Sequence, residues 1–187
     1  MRRILSAAAV VGGLCAAYVL TVRGDLTLDT GIGRRTRALG PIQDHINARP
    51  ETVFDVISGP YLGSTPRAMQ SKLRVVERGS DLVVAEHFTP VSRGLSATTV
   101  ESVHFERPTR VSFRLLRGPV PHVTETFELA QADSGTAFLY AGTLGTDFWG
   151  LGAWWGGKVA PRWEATVQRS ITSIKAEAER RDASPRH

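Results

Sequence analysis

Carboxylate side chains lie among apolar residues on several strand-like segments, where they could bind a ligand or transfer protons. In the segment HVTETFELA, Glu125 falls between Val123 and Phe127 in an alternating pattern. Alternate side chains of a strand point to the same face, so Glu125 is predicted to share the apolar face. Burial raises the pKa of a lone carboxyl, which makes Glu125 the first candidate for a general base.

The same alternation places three further charged residues beside apolar neighbours: Glu86 in DLVVAEHFTP, Glu101 in SATTVESVHFE and Arg117 in TRVSFRLLRG. An ion pair with Arg117 would lower the cost of burying a carboxylate, as would a hydrated cavity or a ligand hydroxyl. The alternative is that bulges or strand ends turn these charges to solvent. The sequence leaves both arrangements open.

Histidines offer weaker candidates. His122 follows Pro119 and Pro121, which would place it at the mouth of a strand as a second possible base. It stands three residues from Glu125, so the two side chains are predicted to face opposite sides. His104 falls on the predicted outer face. The sequence shows no metal-ligand spacing and no phosphate-binding loop, GxSxG or HExxH motif, so neither a metal nor a cofactor is predicted.

The elements that carry these residues begin at Pro41. PIQDHINA alternates like a short strand, and Pro50 opens the helix PETVFDVIS with Glu51 in its first turn. Six strand-like runs follow as three pairs, and together they predict an antiparallel sheet of about seven strands. The turns of the three pairs fall at residues 79–80, 107–108 and 133–135.

A long helix is predicted to close the chain, from Pro161 to about Arg181, because no glycine interrupts it and apolar residues recur at helical spacing. No other element is long enough to cover the apolar face of the sheet. A curved sheet wrapped on this helix can leave a cavity between them. Besides the charged residues, the predicted ligand-binding positions are Phe113, Phe127, Tyr140, Trp154, Trp163 and Val167.

Four tryptophans, at positions 149, 154, 155 and 163, lie within 15 residues around the start of this helix, with glycines between them. Two interpretations fit the segment. It forms an aromatic cluster under the helix, or it forms a flexible portal to the cavity that touches lipid, since glycine loosens the backbone and tryptophan favours membrane interfaces.

An uncharged run of 19 residues, Ile4–Val22, precedes the folded part and is flanked by Arg2, Arg3 and Arg23. As a helix it would be roughly 28 Å long, close to the hydrocarbon thickness of a bilayer. It is therefore predicted to anchor the chain as a single pass through the cell membrane, with a weak preference for a cytoplasmic N-terminus. A cleaved signal peptide and a buried soluble helix are the alternatives.

The predicted organisation follows from these features: a transmembrane anchor over 1–23, a linker over 24–40, the folded domain over 41–182 and a disordered tail over 183–187. Residues 1–40 hold six arginines against two aspartates, whereas the remainder holds 17 basic and 16 acidic residues. A basic excess beside an apolar run suits anionic lipid headgroups. A nucleic-acid-binding domain would carry that excess itself, so nucleic acid is not an expected partner.

The segment INARPETVFDVI, residues 46–57, resembles the opening of the SRPBCC (START-like) superfamily, of the polyketide cyclase/dehydrase and lipid-transport type. The stretch VESVHFERPTRVSFRLLRG and the closing helix agree, so the resemblance covers roughly residues 41–181. It implies an α+β helix-grip fold, in which a curved antiparallel sheet wraps a long C-terminal helix around a hydrophobic cavity. The apolar N-terminus departs from the simple soluble members.

Three functions are compatible with this reading. The first is membrane-tethered binding or transport of a hydrophobic small molecule, a lipid or a polyketide-like compound. The second is a cyclase or dehydratase in which Glu125 or His122 acts as the base and Arg117 or Tyr140 polarises a carbonyl. The third is a non-catalytic, membrane-bound interaction or regulatory domain.

Overall fold

A seven-stranded antiparallel sheet and a long C-terminal helix dominate the computed structural model, which describes residues 2–63, 67–92 and 94–184, with side chains over 11–63, 69–92 and 94–184. The elements in chain order are α1 (Arg2–Val22), β1 (Arg35–Ile46), α2 (Pro50–Leu62), α3 (Arg67–Gln70), β2 (Leu73–Arg78), β3 (Leu82–Ser92), β4 (Leu95–Glu106), β5 (Arg110–Arg117), β6 (His122–Ala132), β7 (Gly135–Thr146) and α4 (Trp149–Asp182).

The strands run in the order β1-β7-β6-β5-β4-β3-β2, and each neighbouring pair is antiparallel. Consecutive strands from β2 to β7 pair directly, and β1 closes the far edge against β7. α4 packs on β1 and β7 and against α2. The predicted α+β helix-grip arrangement, with about seven strands and a long C-terminal helix, is confirmed. We call the face that α2 and α4 cover the inner face.

α4 is longer than predicted, because it starts at Trp149 rather than at Pro161. Gly152, Gly156 and Ala160 are buried and recur every fourth residue, so they form a stripe of small side chains along one side of the helix. A Cβ on Gly156 would lie 3.2 Å from the Thr146 side chain, so the glycine lets α4 approach β7 closely. Gly152 and Gly156 thus serve close packing within a helix, in a segment for which the sequence also allowed a flexible portal.

The N-terminal run forms α1, and its C-terminal end contacts the domain. Val22 is buried, and the Tyr18 ring meets the Trp155 ring edge-on with centroids 6.1 Å apart. The sequence predicts a transmembrane anchor here. Within the part of the chain that the structure describes, no helix is both long and apolar enough to cross a membrane.

The residues after α1 lie along the domain, where the sequence predicts a linker over 24–40. Thr27 Oγ1 donates a hydrogen bond of 2.8 Å to the Gly118 carbonyl, and the Thr30 and Gly31 amides donate to the Asp147 carboxylate at 2.7 and 2.8 Å. β1 starts at Arg35, six residues before the predicted domain boundary. Three of the five residues predicted as a tail, 185–187, fall outside the described residues.

Candidate functional site

The strand register identifies the side chains on the inner face. Glu125 of β6 lies opposite Phe113 of β5 and Gly142 of β7, and Phe127 lies opposite Tyr140. Directly paired residues point to the same side of a sheet, and alternate residues of one strand do too. Trp163 of α4 bonds to Glu125, so these residues share the face that the helix covers.

Glu125 forms the first polar group of this inner face and is only 8% exposed. Its Oε1 accepts hydrogen bonds from the Tyr140 hydroxyl at 2.5 Å and from Trp163 Nε1 at 2.8 Å. Burial raises the pKa of Glu125 to about 7, and the negative charge of Glu101 contributes, while the two hydrogen bonds partly oppose the rise. Glu125 can therefore gain or lose a proton near neutral pH.

Glu101 anchors a second polar group, which reaches α2. Thr99 Oγ1 donates to Glu101 Oε1 at 2.7 Å, and His87 Nδ1 lies 3.2 Å from Glu101 Oε2. The Tyr61 hydroxyl lies 2.9 Å from His87 Nε2. Nδ1 is close to the carboxylate but does not form a hydrogen bond with it. This buried atom therefore has no hydrogen-bond partner among the described residues.

His87 was not predicted as a site residue, because the sequence assigned β3 the wrong face. Val83 and Ala85 are fully buried and share the inner face with His87, whereas Leu82 is 41% exposed. In the run LVVA, both alternating sets of side chains are apolar, so alternation alone cannot tell which set faces inward. The pairing of Ala85 with Glu101 fixes the phase, and that pairing is a tertiary feature.

Glu86 and Arg117 therefore lie on the outer face and do not join the inner carboxylates. Glu86 accepts a hydrogen bond of 2.7 Å from Arg74 Nε and lies 3.6 Å from Arg117. A register shift at Val100 and Glu101 skips one residue of β5, which turns Arg117 away from the face of Leu115. Of the predicted charged residues, the structure places Glu125 and Glu101 together inside and pairs the other two outside.

His122 is also separated from Glu125, as the spacing predicts. It lies opposite Gly145 on the outer face, with the Arg34 side chain nearby. His104 lies outside as well, 3.1 Å from Asp81. Among the described residues, no group of three or more His, Cys, Asp or Glu side chains is arranged to hold a metal ion.

A row of aromatic rings connects the two polar groups. The centroid distances are 6.3 Å from Tyr61 to Phe113, 5.2 Å from Phe113 to Phe127 and 5.8 Å from Phe127 to Tyr140. These spacings are typical of favourable edge-to-face and tilted ring pairs. The inner face therefore presents a continuous aromatic surface with a hydrogen-bonding group at each end.

Solvent reaches part of this surface. Phe113, Trp163 and Val167 pack against the core but are only half-buried, and so is His87. We call the part of the inner face around these four residues the inner crevice. Trp154 does not border it, because its side chain is 61% exposed on the outside of α4.

A separate open depression of about 820 Å³ lies on the outer face, across β1, β7, β6 and β5. The outer-facing side chains of Gln43, Leu139, Glu128 and Arg110 line it, and Arg110 pairs with Glu128 at 3.3 Å. It contains none of the inner polar groups, so it is distinct from the inner crevice.

Comparison with known proteins agrees with this architecture. The family described as polyketide cyclase / dehydrase and lipid transport matches residues 42–179. No curated protein sequence matches the chain.

Three solved structures illustrate the likeness of fold. The Zhui aromatase/cyclase from Streptomyces sp. R1128 has a TM-score of 0.60 and 18% identity, covering 79% of this chain and 96% of its own. The di-domain aromatase/cyclase BexL of the BE-7585A biosynthetic pathway has a TM-score of 0.58 and 16% identity, and the match covers 82% of this chain and 52% of BexL. A START superfamily protein from Mycobacterium smegmatis has a TM-score of 0.51 and 10% identity, covering 79% and 97%.

Proposed function

Because the chain belongs to the polyketide cyclase / dehydrase and lipid transport family, we propose that it binds a hydrophobic small molecule in the inner crevice. The observation that carries this proposal is the half-buried state of Phe113, Trp163 and Val167 beside the buried Glu125. Large apolar side chains at inward positions gain little by staying open to water. A bound apolar molecule would cover them.

The physical basis of capture is burial of apolar surface, which contributes roughly 25 cal/mol per Å². The half-buried Phe113 supplies that surface from the sheet, and Trp163 and Val167 supply it from α4. A few polar atoms then fix the orientation of the ligand, and Glu125 and the group around Glu101 are placed to do so.

Filling the crevice provides the test. The full chain is purified from a lipid-rich host, analysed by mass spectrometry under non-denaturing conditions and titrated with the neutral apolar dye Nile red. We expect a co-purifying apolar molecule and dye binding, and we expect Val167→Trp to weaken the dye at least tenfold, because indole occupies the crevice. The control is Gln168→Trp, since the neighbouring Gln168 is exposed.

Absence of both a ligand and dye binding in the unmodified chain would contradict the proposal. That result would favour the non-catalytic interaction domain. Equal weakening by the two tryptophan variants would show that the effect comes from α4 as a whole and not from the crevice.

A cyclase or dehydratase activity is the second candidate, and the pKa of Glu125, raised to about 7, favours it. A carboxylate that titrates near neutrality is suited to accept a substrate proton, and the Tyr140 hydroxyl beside it can donate to a carbonyl oxygen. Arg117 cannot take that part from the outer face. Once a substrate is found, Glu125→Gln should abolish turnover and retain binding; retained turnover would exclude Glu125 as the base.

The membrane anchor is a separate proposal. It is supported by the uncharged run from Ile4 to Val22 and by the arginines on both sides of it. Membrane fractionation followed by carbonate extraction tests it. Recovery of the full chain in the extracted supernatant would contradict an anchored, single-pass location in the cell membrane.

A further inference from the structure

The acidic side chains of the inner crevice have no basic Lys or Arg partner among the described residues. Glu101 and Glu125 together bring two carboxyl groups to an aromatic surface, and no lysine or arginine among the described residues forms an ion pair with either. The outer carboxylate Glu86, in contrast, has both Arg74 and Arg117 beside it. The negative charge of the outer Glu86 is therefore compensated by arginines, whereas that of the two inner carboxylates is not compensated by any lysine or arginine among the described residues.

One carboxylate oxygen of Glu125 accepts no hydrogen bond from the described residues. Both of its hydrogen bonds end on Oε1, and no described residue donates to Oε2. A carboxyl group that is only 8% exposed seldom leaves an oxygen without a donor, because the loss of water is costly. Oε2 is not fully buried, because the buried side-chain atom that lacks a partner among the described residues is His87 Nδ1, so a ligand group can reach this oxygen.

We propose that the inner crevice selects an aromatic ligand that carries a protonated amine, with the ammonium group donating to Glu125 Oε2. The proposal rests on the proposed function, since it names the class of molecule that the crevice takes. The ammonium group supplies both the missing donor and the missing positive charge. The rings of Phe113, Phe127 and Trp163 attract a cation through their faces and pack against an aromatic body.

Other ligand classes fit less well. A fatty acid or another carboxylate would bring a third negative charge next to Glu125 and Glu101, in a site where water screens it poorly. A neutral alcohol can donate to Oε2 but leaves the charge of Glu125 uncompensated. Both oxygens of Glu101 have a polar neighbour, Thr99 Oγ1 at 2.7 Å and His87 Nδ1 at 3.2 Å, whereas Glu125 Oε2 has none among the described residues, so Glu125 is the anchor for the amine.

Binding of the amine is coupled to the proton on Glu125. Burial and Glu101 keep this carboxyl partly protonated near neutral pH, so a bound cation must drive its proton into solution. The titratable groups that surround Glu125 are Glu101 on β4, Tyr140 on β7, Tyr61 on α2, His87 on β3 and Glu164 on α4. A neutral alcohol favours the ionised carboxyl only through a hydrogen bond and releases less of the proton, so the extent of proton release reports the charge of the ligand.

Three probes with one aromatic body and different charges test the proposal: naphthylethylamine, naphthylethanol and naphthylacetate. Each is titrated calorimetrically into the full chain at pH 6.5, in buffers of different ionisation enthalpy. We expect the amine to bind at least tenfold more tightly than the alcohol, and the alcohol more tightly than the acetate. We also expect release of about half a proton or more with the amine alone.

Two variants locate the effect. Glu125→Gln should bring the affinities of the amine and the alcohol within about twofold of each other and abolish proton release, while Nile red still binds. Glu86→Gln is the matched control, because this carboxylate lies on the outer face, and it should leave the preference for the amine unchanged.

The outcomes separate the two proposals. If Nile red binds but the alcohol or the acetate equals the amine, the selection of amines is wrong and the hydrophobic site stands. If neither Nile red nor any of the three probes binds the unmodified chain, the proposed function itself fails.

Discussion

Glu125 illustrates how the surroundings of a single residue decide its chemistry. Glu125 and Glu128 belong to the same strand, but Glu128 faces outward, where it pairs with Arg110 in contact with solvent. Glu125 faces α4, accepts two neutral donors and has no cation beside it among the described residues. The pKa of Glu125 is raised to about 7 because ionisation inside the protein is costly and hydrogen bonds return only part of that cost.

This shift predicts a pH-dependent stability. Since the pKa of Glu125 is higher in the folded than in the unfolded chain, the folded chain holds the proton more tightly. Its stability should therefore fall as the pH rises from about 4.5 to 7. A shift of this size corresponds to roughly 3 kcal/mol. Urea denaturation at pH 5 and pH 8 measures this effect. Between these pH values, the free energy of unfolding should fall by roughly 3 kcal/mol less in Glu125→Gln than in the unmodified chain.

Comparison with the unmodified chain removes the contributions of carboxylates such as Asp147 and Asp182, whose pKa values are lowered and whose effects run in the opposite direction. Equal pH dependence of the variant and the unmodified chain would mean that Glu125 is not protonated preferentially in the folded state.

The start of α4 shows how small residues position a long helix. Gly152 lies so close to the end of β7 that a Cβ would stand 1.7 Å from the Asp147 carbonyl oxygen. Trp163 follows three turns later and depends on this placement to reach Glu125. The glycines thus contribute to the site through the position of the helix.

A pair of alanine substitutions tests this interpretation. Gly152→Ala should lower the free energy of unfolding by more than about 2 kcal/mol, because the new methyl group collides with backbone that cannot move freely. Gly150→Ala, in the same turn of the helix, has nothing within 4 Å and should be neutral or stabilising by up to about 1 kcal/mol. Urea denaturation measures both. Similar effects of the two substitutions would refute a packing role for Gly152.

In the molecule as a whole, Asp147 connects the N-terminal segment to the sheet and α4. Its carboxylate is nearly inaccessible and accepts hydrogen bonds from the Thr30 amide and hydroxyl, the Gly31 amide and Arg34 Nε. Arg34 holds the pKa of this carboxyl well below its usual range. Asp147 therefore fixes residues 30–34 next to α4, together with the Phe148 amide, which donates to the Ile32 carbonyl, while Thr27 is held separately by Gly118.

Asp147→Ala should release this segment while leaving the sheet folded. We expect the Thr30 and Gly31 amides to exchange with deuterium at least tenfold faster, since they lose the carboxylate that accepts their hydrogen bonds. Asp29→Ala is the control, because the exposed Asp29 contacts Arg34 but does not accept from the Thr30 and Gly31 amides. Unchanged exchange in Asp147→Ala would mean that other contacts hold the segment.

The sequence by itself determined the class of fold and much of the inner face. Alternation on β6 identified Glu125, and helical spacing identified Trp163 and Val167, because these periodicities are local properties of the backbone. The separation of His122 from Glu125 is likewise visible in the sequence, because residues three apart on a strand face opposite sides.

Only the tertiary structure decided which charges meet. The phase of β3 and the register shift at Val100 moved Glu86 and Arg117 outside and brought His87 inside, because runs that are apolar on both faces leave the choice to cross-strand pairing. The glycine-rich start of α4 was misread for a related reason. Glycine disfavours a helix locally, but here its missing side chain allows the close contact with β7 that stabilises one.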